Sequence, residues 1–208
     1  MIAEIGHFAL ILALVLSVVQ CVLPLVGAAR GIGSWMALAR TAAYANALFL
    51  TISFGTLAYS FYISDFTLLN VASNSNSLLP WFYKVAASWG SHEGSILFWA
   101  LMLTWWGFFV ALTSRKLPQE TVARVLGVMG FITAGFVAFM LFTSNPFLRL
   151  FPAAPEGADL NPLLQDPGMV FHPPLLYMGY VGFTVPFAFA IAALIAGRLD
   201  AVWARWMR

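Results

Sequence analysis

Long apolar blocks separated by shorter polar stretches dominate this chain, and the blocks have the length of membrane crossings. A helix needs about 20 consecutive apolar residues to cross the hydrocarbon core of a bilayer. It can sit there because its backbone hydrogen bonds are internal. The pattern predicts five spans, at 7–29, 39–62, 94–113, 123–143 and 173–197, and so an all-α polytopic membrane protein. Two of the connections are short. The other two, 63–93 and 144–172, are rich in aromatic residues and proline, a composition that favours order over disorder.

A shorter period runs through the first long connection. Trp81, Val85 and Trp89 recur at helical spacing, with Phe82 and Ala86 beside them and Lys84 and Ser88 off the stripe. This predicts a short amphipathic helix, with Ser77 as its cap and Pro80 in its first turn. Tryptophan favours the membrane interface, so the helix is expected to lie flat on the outer leaflet. It is either an aromatic anchor or a surface that also touches a ligand or partner.

Composition agrees with the pattern. The chain is 62% hydrophobic and 9% charged, against about 25% charged in soluble domains. The single cysteine, Cys21, excludes an internal disulfide, a CxxC redox pair and a CxxCH haem-attachment motif. The first block follows Glu4 with no preceding basic residue and runs from Phe8 to Val26. That is longer than a signal-peptide core, so it is expected to remain as a helix. Nothing resembles a phosphate loop, and no basic stripe suits nucleic acid.

Charge placement predicts the orientation. Arg30, Arg40, Arg115, Lys116, Arg124, Arg198, Arg205 and Arg208 fall on one side of a five-span arrangement. The other side carries Lys84 and Arg149 against Glu4, Asp65, Glu93, Glu156, Asp159 and Asp166. Cytoplasmic loops are enriched in Lys and Arg, so the N-terminus is expected outside and the C-terminus in the cytoplasm.

The three histidines, His7, His92 and His172, all fall at outer ends of spans. His172 stands before Pro173 and Pro174, whose missing donors suit the first turn of a helix. It is therefore expected at a helix N-terminus, where the dipole disfavours imidazolium and leaves a ring suited to a metal. His92-Glu93 is not a zinc HExxH motif, since Ile96 follows. The pair is either a helix cap or a group that orients a ligand or loop. His7 reads as a span-end residue. Gly127, Gly130, Gly179 and Gly182 read as helix-packing positions, and Pro186 as a kink.

Several linked motifs resemble one family. They are Glu4-Ile5-Gly6-His7-Phe8-Ala9-Leu10, Asn74-Ser75-Asn76-Ser77-Leu78-Leu79-Pro80-Trp81, Trp89-Gly90-Ser91-His92-Glu93-Gly94-Ser95 and Thr143-Ser144-Asn145-Pro146-Phe147. The longest are Asp159-Leu160-Asn161-Pro162-Leu163-Leu164-Gln165-Asp166-Pro167-Gly168 and Phe171-His172-Pro173-Pro174-Leu175-Leu176-Tyr177-Met178-Gly179-Tyr180. Together they resemble the N-terminal part of the CcmF-type haem-lyase subunits of bacterial cytochrome c maturation and the related nitrite-reductase maturation subunit.

The resemblance implies cytochrome c-type biogenesis in the bacterial inner membrane. Haem would come from a periplasmic haem chaperone and be attached to the CxxCH thiols of apocytochrome c, alongside its thiol-handling maturation subunits. His172 would be an axial ligand of the haem iron, with Trp81, Trp89, His92 and Glu93 in support. The tryptophan-rich WxWD segment, the second outer histidine and the intramembrane haem ligands of that family are missing. Trp203 and Trp206 fall on the wrong side to replace the segment. The chain is thus expected to be part of a longer or split CcmF-type protein with an incomplete haem site. A non-catalytic scaffold and, further off, a transporter subunit are the alternatives.

Overall fold

The computed structural model describes residues 1–197. Arg198, Trp203, Arg205, Trp206 and Arg208 lie outside the described residues. The described part is helical: α1 (Ile2–Arg30), α2 (Gly33–Tyr62), α3 (Leu69–Asn74), α4 (Trp81–Gly90), α5 (His92–Thr113), α6 (Gln119–Thr143), α7 (Pro167–Gly182) and α8 (Thr184–Ala196). Five stretches are long and apolar enough to cross a membrane: Ile2–Arg30, Gly33–Tyr62, His92–Lys116, Gln119–Thr143 and Pro167–Ala196. They match the five predicted spans.

The helices run past the apolar blocks where tertiary contacts hold them. α1 begins at Ile2 because its polar start is packed: Ala3 is buried, and Gly6 lies against Thr56 and Phe147. Gly31 ends α1 in the left-handed conformation, which glycine adopts without steric cost. Ile32 N–H then bonds back to the Gly27 carbonyl, and α2 starts at once.

The start of the fifth span differs from expectation. α7 begins at Pro167, not at residue 173. Asp166 caps it by accepting from Gly168 N–H at 2.7 Å, and Pro167 occupies the first turn. The prolines after His172 are therefore inside the helix. The span breaks at Phe183, between α7 and α8. Pro186 cannot donate to the Gly182 carbonyl, which places the break where the proline removes a bond.

α1 packs most extensively on α2 and α6. Small residues allow the approach: a Cβ on Gly130 would stand 3.0 Å from the Cys21 nitrogen, and one on Gly127 2.7 Å from Leu25. Gly182 similarly lies against Trp106, but Gly179 faces open space and is not a packing position. Between α1, α2 and α6, Gln20 donates to the Leu126 carbonyl at 2.9 Å and accepts from Asn46 at 2.7 Å. Both side chains are buried.

The two ends of the bundle differ. At the short-connection end, Arg40 bonds the Ala111 carbonyl and Ser114, and Gln119 bonds the Gly33 carbonyl. At the other end the two long connections clasp one another. Leu69 N–H donates to Leu148, Leu150 N–H to Thr67, and Ala158 N–H to Ala72. Asn76 donates to Asp159 at 3.0 Å. The ordered reading of these connections holds.

α4 is the predicted short helix, with two corrections. Ser77 does not cap it; its hydroxyl and N–H donate to Glu156 instead. Its buried face is Ala86, Ala87 and Ser88, while Trp81 is 65% exposed. Ser88, expected off the stripe, is thus inside, and of the stripe itself Trp89 is half-buried while Trp81 stays outside. The apolar pattern also missed α3, whose six residues are too few to show a period.

Candidate functional site

The loop-bearing end gathers the motifs singled out in the sequence. Trp89-Gly90-Ser91-His92-Glu93-Gly94-Ser95 forms the joint between α4 and α5. Ser91 is the N-cap of α5 and accepts from Gly94 N–H at 3.1 Å. Gly94 touches the Ser88 carbonyl oxygen so closely that no Cβ fits. Gly90 lies against Met169, where a Cβ would come within 2.7 Å of the methionine methyl. The glycines and serine of this motif are explained by how tightly α4 folds back on α5 and α7.

His92 and His7 both reach the start of the second long connection. His92 Nδ1 meets the Ser144 hydroxyl at 3.1 Å, and Glu93 stands 3.9 Å from the same nitrogen. His7 Nε2 meets the Asn145 amide at 3.3 Å, and its ring stacks on Phe147. The capping role belongs to Ser91, and His92 contacts the loop through Ser144. His7 is more than a span-end residue. Its partner Asn145 was missed, as was Ser144, the partner of His92, although their motif and those of both histidines were visible. Nothing in the local pattern pairs them, because His7 and Asn145 lie 138 residues apart and His92 and Ser144 lie 52 apart. Nearby, Arg149 forms ion pairs with Glu4 and Asp65.

His172 has a different setting. It lies more than one turn inside α7, so the helix terminus faces Gly168 and not the imidazole. The ring is exposed and has no hydrogen-bond partner among the described residues. Exposed Phe171, Leu175 and Leu176 flank it in sequence. A free imidazole among apolar side chains is a donor set that suits haem: the nitrogen for iron, the apolar groups for the macrocycle.

Trp89 joins α4 to this helix. Its indole N–H donates to the Met169 carbonyl at 3.0 Å. The ring stacks on Phe54 and tilts against Phe98, which meets Tyr177 of α7. Trp81 instead makes its ring contact with Phe82. Of the predicted site residues, then, Trp89 bonds the helix that carries His172, His92 meets Ser144 with Glu93 beside it, and Trp81 faces outward.

The loops are also tied through Glu156. The Ser77 hydroxyl, and then the N–H groups of Gly157 and Ser77, donate to its carboxylate and hold it below the usual carboxylate range.

Residues 89–207 match the family described as cytochrome C assembly protein. The cytochrome c-type biogenesis protein CcmF of Pseudomonas aeruginosa is 61% identical over 209 residues, covering 100% of this chain and 32% of that protein. CcmF of Escherichia coli (strain K12) is 54% identical over the same share of each. NrfE of Haemophilus influenzae, also described as a cytochrome c-type biogenesis protein, is 48% identical over 100% of this chain and 33% of its own length. A solved structure described as the cytochrome c heme lyase CcmF superposes with a TM-score of 0.86 at 28% identity, again over 100% of this chain and 32% of that one. The chain thus spans about a third of the length of the curated relatives it matches.

Proposed function

The chain belongs to the cytochrome C assembly protein family, and from that premise we propose that it is the N-terminal membrane part of a CcmF-type haem lyase that presents His172 to haem. The observation that carries this reading is the state of His172: an exposed imidazole without a hydrogen-bond partner among the described residues, on a helix capped by Asp166 and gripped by Trp89.

The loop-bearing end is the periplasmic one in this reading. Arg30, Arg40, Arg115, Lys116 and Arg124 cluster toward the opposite end, which the positive-inside rule assigns to the cytoplasm. The protein then sits in the bacterial inner membrane with His7, His92 and His172 facing outward.

His172 would hold the haem iron through a ring nitrogen, and would share that role with residues outside this chain. Bound haem supplies the vinyl groups that become thioether links to the CxxCH cysteines of apocytochrome c. This chain's own residues bind and orient. Asp166 fixes where α7 begins, and Trp89 fixes the turn below His172. His92 and His7, through Ser144 and Asn145, hold the second outer connection in place. The partners are a periplasmic haem chaperone, apocytochrome c with its thiol-handling maturation subunits, and the remainder of the CcmF-type protein.

The test is His172→Ala in the full-length protein in its own membrane, with covalent cytochrome c read by haem staining. A fall of at least about tenfold is expected, since one lost iron ligand is worth more than a single hydrogen bond to a charged group. Wild-type cytochrome c levels would overturn the assignment.

A further inference from the structure

We propose that Trp89 is a positioning residue for His172, acting through the Met169 carbonyl; this rests on the reading of His172 as a haem ligand. Pro173 lies inside α7 and has no N–H. The carbonyl four residues earlier, that of Met169, therefore lacks its usual α-helical donor. The indole of Trp89 supplies one at 3.0 Å, a normal hydrogen-bond length.

The donor is itself held. Trp89 is half-buried, stacked on Phe54 at 6.5 Å and tilted on Phe98 at 5.8 Å. The next residue, Gly90, is in close contact with the Met169 side chain. α4 thus grips one residue of α7 by both its carbonyl and its side chain. Met169 is three residues before His172, so the two lie on one face of the helix, a turn apart. A helix that lacks a bond at a proline is free to bend there. Trp89 closes the gap from outside and fixes the bend, and with it the direction in which His172 leaves the helix.

A tryptophan that only fills space would do so equally well as phenylalanine. The indole N–H is the part this role requires. The second prediction is specific to the mechanism: giving position 173 back its N–H removes the need for Trp89.

The experiment uses the full-length protein purified with haem, and reads haem retained per protein and the axial-ligand signature in its absorption spectrum. Trp89→Phe is expected to lower haem retention roughly tenfold, the scale of one unmade hydrogen bond to a half-buried carbonyl. It should also shift the spectrum toward that of His172→Ala. Trp89→Phe combined with Pro173→Ala should recover the wild-type spectrum. If Trp89→Phe keeps the wild-type spectrum while His172→Ala changes it, the positioning role is overturned and the ligand assignment stands. If the double variant stays as impaired as Trp89→Phe, the Met169 carbonyl is not the route and the proposal fails. If His172→Ala itself leaves the spectrum unchanged, both readings fall.

Discussion

His7 and Asn145 meet at 3.3 Å, and the partner arrangement around Asn145 decides which of its atoms faces the ring. The Asn145 oxygen accepts from Phe147 N–H at 2.9 Å, which leaves the amide nitrogen for His7 Nε2. Phe147 is buried and stacks on His7. One asparagine thus shapes its own turn and locks it to the start of α1. Asn145→Ala removes both bonds and is expected to cost about 1–2 kcal/mol. Hydrogen exchange over 144–150 should accelerate, with the midpoint of thermal unfolding lowered. Unchanged exchange there would show that the loop is held by other contacts.

Gly94→Ala tests the α4–α5 joint. The new methyl would overlap the Ser88 carbonyl oxygen, which is backbone and cannot swing aside. The cost should reach the upper end of overpacking, about 3 kcal/mol. Gly179→Ala, where a methyl meets nothing, is the matched control and should be near neutral in the same thermal-unfolding measurement.

The buried amide pair predicts a non-additive result. Gln20→Leu leaves Asn46 without its acceptor in the bundle interior, and Asn46 already has an unpartnered oxygen among the described residues. The single substitution should cost about 1–3 kcal/mol. Gln20→Leu with Asn46→Leu removes both ends and should recover part of that loss. An additive double-mutant cycle in detergent unfolding would refute the coupling.

Glu156 gives the loop clasp an acid limit. Its carboxyl is held below its ordinary value, so the stabilisation is complete above the unfolded-state value, about 4.3 for glutamate. It is lost as pH falls through the lower, folded value. Limited proteolysis of 63–91 and 144–166 should therefore stay slow from neutral pH through the ordinary carboxylate range and accelerate below it. Glu156→Gln should weaken the clasp already at neutral pH and blunt that acid step.

The span count was legible because apolar length, which marks a crossing, is a property each segment carries alone. The start of α7 was misread because prolines 173 and 174 suit a helix start as well as a proline-tolerant interior. Asp166-Pro167-Gly168, an equally good start signal nearly two turns earlier, decides it through its cap. The interior prolines did hold usable information: each implies an unpaired carbonyl four residues earlier. That points to Met169, though not to Trp89, which comes from a separate helix. The contacts of His7 and His92 with Asn145 and Ser144 were invisible for the same reason, since only the folded bundle brings those segments together.

The central claim is that His172 ligates haem iron. The direct measurement is pulsed electron paramagnetic resonance on ferric haem in full-length protein carrying isotope-labelled histidine. A labelled-nitrogen coupling is expected in the wild type, and one coupling fewer in His172→Ala at equal haem loading. Identical couplings in the two proteins would contradict it.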